Sequence, residues 1–325
     1  MDDAITVQGS ASLARLRTIS SKLVWGLRAV GPGRVLQGGA AMAALKLRRP
    51  KRARVVLHSG TVMEFDYPSQ FPPMLVMFGD LIDPEFAFLR AVYRPGWTVV
   101  DIGAAIGQFT LFAAALGARV EAFEPSGANI ATLKKNVDLN GLNNRVQVHQ
   151  LALSNLNGEA RFETNARTWL SRLDRSQSGE LVQVRKLDDA LEALGLRHVS
   201  VLKINVSGYE PAVLEGAMGF LRRGGADVIV LLLGLQSLAW YRTLSELGYR
   251  FFYYHPVQRS LHEVTRFDAS SVLDHRPWPA RHIIALRAGA IDAGLIEGLP
   301  LHPLSQSTPA LAQTRAQTQE HRNVR

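Results

Sequence analysis

From Trp97 to about residue 290 the chain alternates between short apolar strands and amphipathic helices, and this rhythm constrains the fold more than any other feature. WTVVDIG reads as a buried strand, GQFTLFAAALG as a helix closed by Gly117, and ARVEAFEP as a second strand. SGANIATLKKNVDLNG is a helix carrying Ile130, Leu133 and Val137 on one face, and RVQVHQLALS is a third strand. The helix DDALEALG, the strand VSVLKINV, the helix YEPAVLEGAMGFLRRGG and the strand DVIVLLLG follow, and SLAWYRTLSELG, RFFYYH and RHIIALR close the series. Strands alternating with helices at this spacing predict a doubly wound, mostly parallel α/β sheet. An apolar share of 47% is enough for a well-buried core.

Three segments flank this core and one interrupts it. Residues 1–52 are a basic, partly helical extension in which Leu13, Leu16, Ile19, Leu23, Val24 and Leu27 recur near a helical period. GPGR at 31–34 ends that helix, and GGAAMAAL begins another. Residues 53–96 lead into the core through a hairpin turning at Ser59-Gly60 and the helix DPEFAFLRAVYRPG. Residues 161–187, bearing Trp169 and several arginines, read as a surface excursion or a lid over an acceptor. Residues 291–325 read as a largely disordered tail.

Composition removes several functions. The chain has no cysteine, which excludes disulfides and thiolate metal sites, and no His/Asp/Glu cluster has ligand spacing, so no metal is expected. No run is apolar enough to span a bilayer, and the start MDDAITVQGS lacks the pattern of a signal peptide, so a cytoplasmic protein is expected. Much of the net charge of +9 lies near the N-terminus, notably in LKLRRPKRAR at 45–54. A solvated linker and a peripheral contact with anionic membrane both fit it, whereas no motif points to sequence-specific nucleic-acid binding.

Ligands of such sheets bind beyond the carboxyl ends of the strands. At the first strand end, VVDIGAAIGQFT places Asp101 two residues before Gly103, with Gly107 after Ala104, Ala105 and Ile106. A dinucleotide fingerprint would read G-x-G-x-x-G and would hold a pyrophosphate. Here the glycine spacing differs, and a carboxylate in front favours a ligand with positive charge, such as S-adenosylmethionine. Glu124, at the second strand end, is placed to accept hydrogen bonds from ribose hydroxyls.

The succession VVDIGAAIGQFTL, EAFEPSGANIATLKKNVDLNGL, VQVHQLALSNLNGEARF, VRKLDDAL and VLKINVSGYEPAVLEGA resembles the FkbM-type methyltransferases over roughly residues 53–290. The resemblance implies a class I methyltransferase, Rossmann-like, with a mostly parallel seven-stranded sheet whose last strand is antiparallel and a methyltransferase domain over residues 97–290. It implies S-adenosyl-L-methionine as cofactor and a hydroxyl-bearing small molecule or glycan as methyl acceptor. Asp101, Gly103 and Gly107 would hold the methionine end, with Ala105 where the family commonly has Asn; Glu124 would hold the ribose, with Pro125 and Ser126 shaping the turn, and Ala152 and Leu153 would lie near the adenine.

One motif departs from the family. The usual K-I-D-V-E-G-x-E reads Lys203-Ile204-Asn205-Val206-Ser207-Gly208-Tyr209-Glu210 here. A hydroxyl acceptor profits from a general base, which neither Asn205 nor Ser207 can supply near neutral pH. Lys203, Asn205 and Glu210 are the catalytic candidates, with His149 and His255 as further bases. N-methylation and a degenerate, non-catalytic cofactor-binding module stay open beside O-methylation.

Overall fold

The computed structural model describes residues 5–80, 83–163, 172–174, 179–232, 238–265 and 282–303. Its centre is a nine-stranded sheet. The strands are β3 (Thr98–Ile102), β4 (Arg119–Phe123), β5 (Val146–His149), β10 (Val199–Ile204), β11 (Ala226–Leu231), β12 (Tyr249–His255), β13 (Ser260–Val264), β14 (Ile283–Arg287) and β15 (Leu301–Pro303). In space they run β15-β13-β12-β14-β11-β10-β3-β4-β5. β5, β4, β3, β10 and β11 pair in parallel, whereas β14 runs antiparallel between β11 and β12. This is the expected seven-stranded class I arrangement, extended by β13 and β15 beyond β12.

The parallel strands are apolar on both faces because helices cover both. On one face Val99, Val120, Val201 and Val228 pack with Phe86 and Phe88 of α3 (Pro84–Val92) and Leu111 of α4 (Gln108–Leu116). On the other, Val100, Leu202 and Ile229 pack with Leu191 of α6 (Leu187–Ala193), Leu214 of α7 (Glu210–Glu215) and Phe220 of α8 (Met218–Arg222). The segment expected as one helix over 209–225 is therefore two. A Cβ on Gly216, between them, would lie 1.8 Å from the Ser154 carbonyl oxygen, so the chain closes on a neighbouring strand where a longer helix would run on.

Three further expectations are corrected. RVQVHQLALS is two strands: β5 stays in the main sheet, and β6 (Ala152–Ser154) leaves it to pair with β9 (Glu180–Lys186). The excursion contributes to a second sheet, ordered β6-β9-β7-β8 with β7 (Gly158–Glu163) and β8 (Arg172–Asp174); Trp169 lies outside the described residues. Residues 291–303, assigned to the disordered tail, are ordered. Leu295 and Ile296 are buried in the core behind the short helix Ala288–Asp292, and β15 pairs with β13.

The hairpin β1 (Arg52–Val56) and β2 (Val62–Asp66) forms as expected. It is held to α5 (Gly127–Leu139) by side-chain amides that imitate a neighbouring strand. Asn136 accepts from Glu64 N and donates to Glu64 O and Ile106 O; Asn140 accepts from Val62 N and donates to Val62 O. Ahead of the hairpin, α1 (Ile5–Arg48) is two helical pieces joined at Gly31, whose φ is +81°. Gly26 and Gly38 let it approach α2 (Pro73–Phe78) closely, because a Cβ at either would overlap Phe78 or the Met77 carbonyl.

Candidate functional site

The turn after β3 is built of bare backbone. Gly103 has φ +76°, and a Cβ there would lie 2.1 Å from the carbonyl oxygen of Asn205, so only glycine lets the ends of β3 and β10 come this close. Gly107, at φ +100°, would place a Cβ 2.5 Å from Leu133 of α5. Ala105 also occupies the left-handed region, at φ +50°, where Asn and Gly are the easier residues.

Parallel register sets Lys203 of β10 directly beside Asp101 of β3. The ammonium lies 2.7 Å from Asp101 Oδ1 and donates to the Gly103 carbonyl at 2.8 Å, and Thr110 donates to Asp101 Oδ2 at 2.6 Å. Asp101 has no solvent exposure and does not line the cavity described below. Its charge is matched internally by Lys203. The same pair accounts for Lys203, whose ammonium is held by a carboxylate and a carbonyl.

Glu124, at the end of β4, is buried, and burial pushes its carboxyl above the ordinary range against the pull of its hydrogen bonds. Ala105 N donates to Oε2 at 2.9 Å, while Ser126 N and the Asn129 amide donate to Oε1, each at 3.1 Å. Of roughly four acceptor positions on a carboxylate, three are filled, leaving one on Oε2. Ser126 caps α5, accepting from Asn129 N, and half-buried Pro125 precedes it. Ala152 and Leu153 are buried in apolar clusters beneath the second sheet and α6 and do not line the cavity.

Glu210 is held by its own turn. Its carboxylate accepts from Val206 N at 2.9 Å and Gly208 N at 2.8 Å, fixing the turn in which Ser207 has φ +56°. His149 stacks on Phe123 with its Nε2 2.6 Å from Glu121 Oε2, and His255 lies beside His262; neither lines the cavity.

That cavity, of about 240 Å3, opens at the carboxyl edge of the parallel strands. Gly103, Ala105, Asn205, Ser207 and Lys203 line it. The lining also brings together Asp83, Glu85 and His282, none of which the sequence reading singled out. His282 immediately precedes β14, and its Nδ1 lies 2.5 Å from Oε1 of Glu85 in the first turn of α3. Burial alone would lower the imidazole pKa, but the Glu85 carboxylate, with Asp83 behind it, outweighs burial and the Lys203 charge and raises it. Its Nε2 is shielded from solvent and has no hydrogen-bond partner among the described residues. Also among the described residues, no group of three His, Cys, Asp or Glu could hold a metal ion, and no helix is long and apolar enough to cross a membrane.

Residues 101–251 match the model of the methyltransferase FkbM domain. This stretch is similar to the FkbM methyltransferase domain. No curated protein sequence matches the chain. Among solved structures, a Streptococcus thermophilus rRNA methylase is 13% identical at a TM-score of 0.36, with 62% of this chain and 91% of that one covered. A Geobacter metallireducens precorrin-6y C5,15-methyltransferase is 14% identical at 0.36, covering 62% and 88%. A Pyrococcus abyssi tRNA (uracil-54, C5)-methyltransferase, solved with S-adenosyl-L-homocysteine, is 14% identical at 0.36, covering 62% and 39%. The matched stretch thus runs from Asp101, at the end of the first core strand, to Phe251 within β12; Glu85 and His282 lie outside it, one before and one after it in the chain, and meet at the cavity.

Proposed function

We propose that the FkbM domain uses S-adenosylmethionine to methylate a hydroxyl of a small molecule or glycan. The observation that carries this reading is the cavity itself. It joins the bare turn Gly103–Ala105 to a wall of uncharged polar groups, Asn205, Ser207, Gln70 and Gln108, suited to a neutral, hydroxylated acceptor. The cofactor supplies a methyl group activated by a cationic sulfur. Gly103 and Ala105 offer backbone without bulk, and Asp83 and Glu85 give the cavity the negative charge that Asp101 does not; Glu124 is buried and does not line the cavity, and it supports the site by accepting from Ala105 N.

Transfer to nitrogen is the second reading, favoured by the presence of Asn205 in the lining: its amide oxygen can accept from an amine that needs orientation more than deprotonation. Calorimetry with S-adenosylmethionine, S-adenosylhomocysteine and NAD tests the cofactor assignment. Heat from the first two alone is expected, and silence from both refutes it. Transfer from labelled donor into a metabolite extract, followed by hydrolysis of the product, separates O-methyl from N-methyl. We also propose that α1 touches anionic membrane, because Leu23, Val24, Leu27, Leu36 and Leu47 stay exposed beside Arg28, Lys46 and Arg48.

A further inference from the structure

We propose that His282 is the general base of the reaction and that Glu85 is its positioning residue. The inference rests on the O-methylation reading and names the proton acceptor that the departed motif lacks. The other candidates are occupied: Lys203 by Asp101, and Glu210 by the backbone of its own turn. Asn205 and Ser207 line the cavity but take no proton at neutral pH. His282 lines the same cavity.

The geometry fixes the tautomer. A carboxylate can only accept, so Glu85 at 2.5 Å requires the proton on Nδ1 and leaves the neutral ring's lone pair on Nε2, the atom without a partner among the described residues. As the acceptor oxygen bonds the methyl carbon, the electrons of the carbon–sulfur bond leave with sulfur, which loses its positive charge. The hydroxyl proton passes to Nε2, and the imidazolium so formed rests against Glu85 before releasing its proton to solvent.

The pH dependence follows from the charges around the ring. Glu85 and Asp83, at the start of α3, stabilise the imidazolium, and Lys203 on β10 opposes them. The neutral ring is the working form, so kcat/KM rises with pH through the raised pKa of His282. Removing the Glu85 charge lowers that pKa and moves the rising limb to lower pH, while the weaker base gives a lower plateau.

Two measurements on the full chain test this. Nitrogen-15 NMR of the imidazoles in the protein loaded with S-adenosylhomocysteine, needing no variant, is expected to show neutral His282 as the Nδ1–H tautomer. Finding Nε2–H overturns the proposal. Next, labelled methyl transfer into a metabolite extract is compared for wild type, His282→Gln and Glu85→Gln, each checked by circular dichroism and S-adenosylhomocysteine affinity. His282→Gln should lose about 10²-fold or more in turnover with affinity within about threefold, and Glu85→Gln should shift the limb to lower pH. Retained turnover in His282→Gln, or an unmoved limb in Glu85→Gln, overturns the base role while leaving the methyltransferase reading standing. A wild type that binds S-adenosylhomocysteine yet labels no hydroxyl refutes the O-methylation reading and takes the base role with it. Should His282→Gln misfold, the tautomer and the Glu85→Gln profile still decide.

Discussion

Replacing Lys203 with Met separates a structural lysine from a catalytic one. The ammonium lies 2.7 Å from Asp101 Oδ1 and 2.8 Å from the Gly103 carbonyl, and both side chains are at most 8% exposed. Lys203→Met would strand a buried carboxylate with Thr110 as its remaining side-chain partner, a loss worth about 3–5 kcal/mol in comparable buried pairs. Folded proteins are stable by about 5–15 kcal/mol, so a shift of that size is readily measured. Asp101→Asn should cost a similar amount by leaving the ammonium without its counter-charge. The double variant removes both charges and should be more stable than either single one, with a coupling of several kcal/mol. Equilibrium urea unfolding of the four proteins gives the cycle. A cost below about 1 kcal/mol for Lys203→Met, or a double variant no better than the singles, would refute the pairing argument.

Ala105→Gly relieves a left-handed alanine, a strain of roughly 1–2 kcal/mol, against about 0.5–1 kcal/mol of added chain entropy; a net gain of up to about 1 kcal/mol is expected in urea melts, and a clear loss would contradict it. Asp80 is buried, which would raise its pKa, but hydrogen bonds from His58 N and Nδ1 prevail and lower it. A lowered carboxylate stabilises the fold above its unfolded pKa of about 4, and that contribution disappears as pH falls through the folded value. Asp80→Asn should therefore flatten the stability curve below about pH 4, and curves parallel to wild type would disprove it. Flotation with anionic liposomes, with and without residues 1–50, tests the membrane role of α1: the full chain should float and the shortened one should not.

The sheet was legible because its signals are local. Strands ending at Ile102, Phe123 and Ile204 stand out as apolar runs next to glycine, proline or polar turns, and caps at Ser126 and Gly117 mark their helices. The second sheet was not, because β8 is three residues long and nothing at Gln150 announces that β6 leaves the main sheet. Asp101 was legible as an acid at the right strand end, but its partner depends on cross-strand register, which a single strand does not reveal. The His282–Glu85 pair was missed for a related reason. One residue opens a helix before the core, the other precedes the antiparallel strand that ends it, and only the closed sheet brings them together.

The departures at 205 and 207 make electrostatic sense once Lys203 is counted with Asp101. Among the described lining residues, Lys203 and His282 are the basic side chains, set against Asp83 and Glu85. A family-like acid at 205 would add negative charge to a wall whose lysine already has a partner, and it would stabilise the imidazolium of His282 across the cavity. Asn205→Asp should therefore not improve a histidine base. It should hold His282 protonated to higher pH, lowering kcat/KM at neutral pH and moving the rising limb of the profile upward. One pKa unit is about 1.4 kcal/mol of charge interaction, so an attraction of that size moves the limb by a full unit. A higher neutral-pH rate in Asn205→Asp would mean that the carboxylate itself takes the proton, and would return the base to the end of β10.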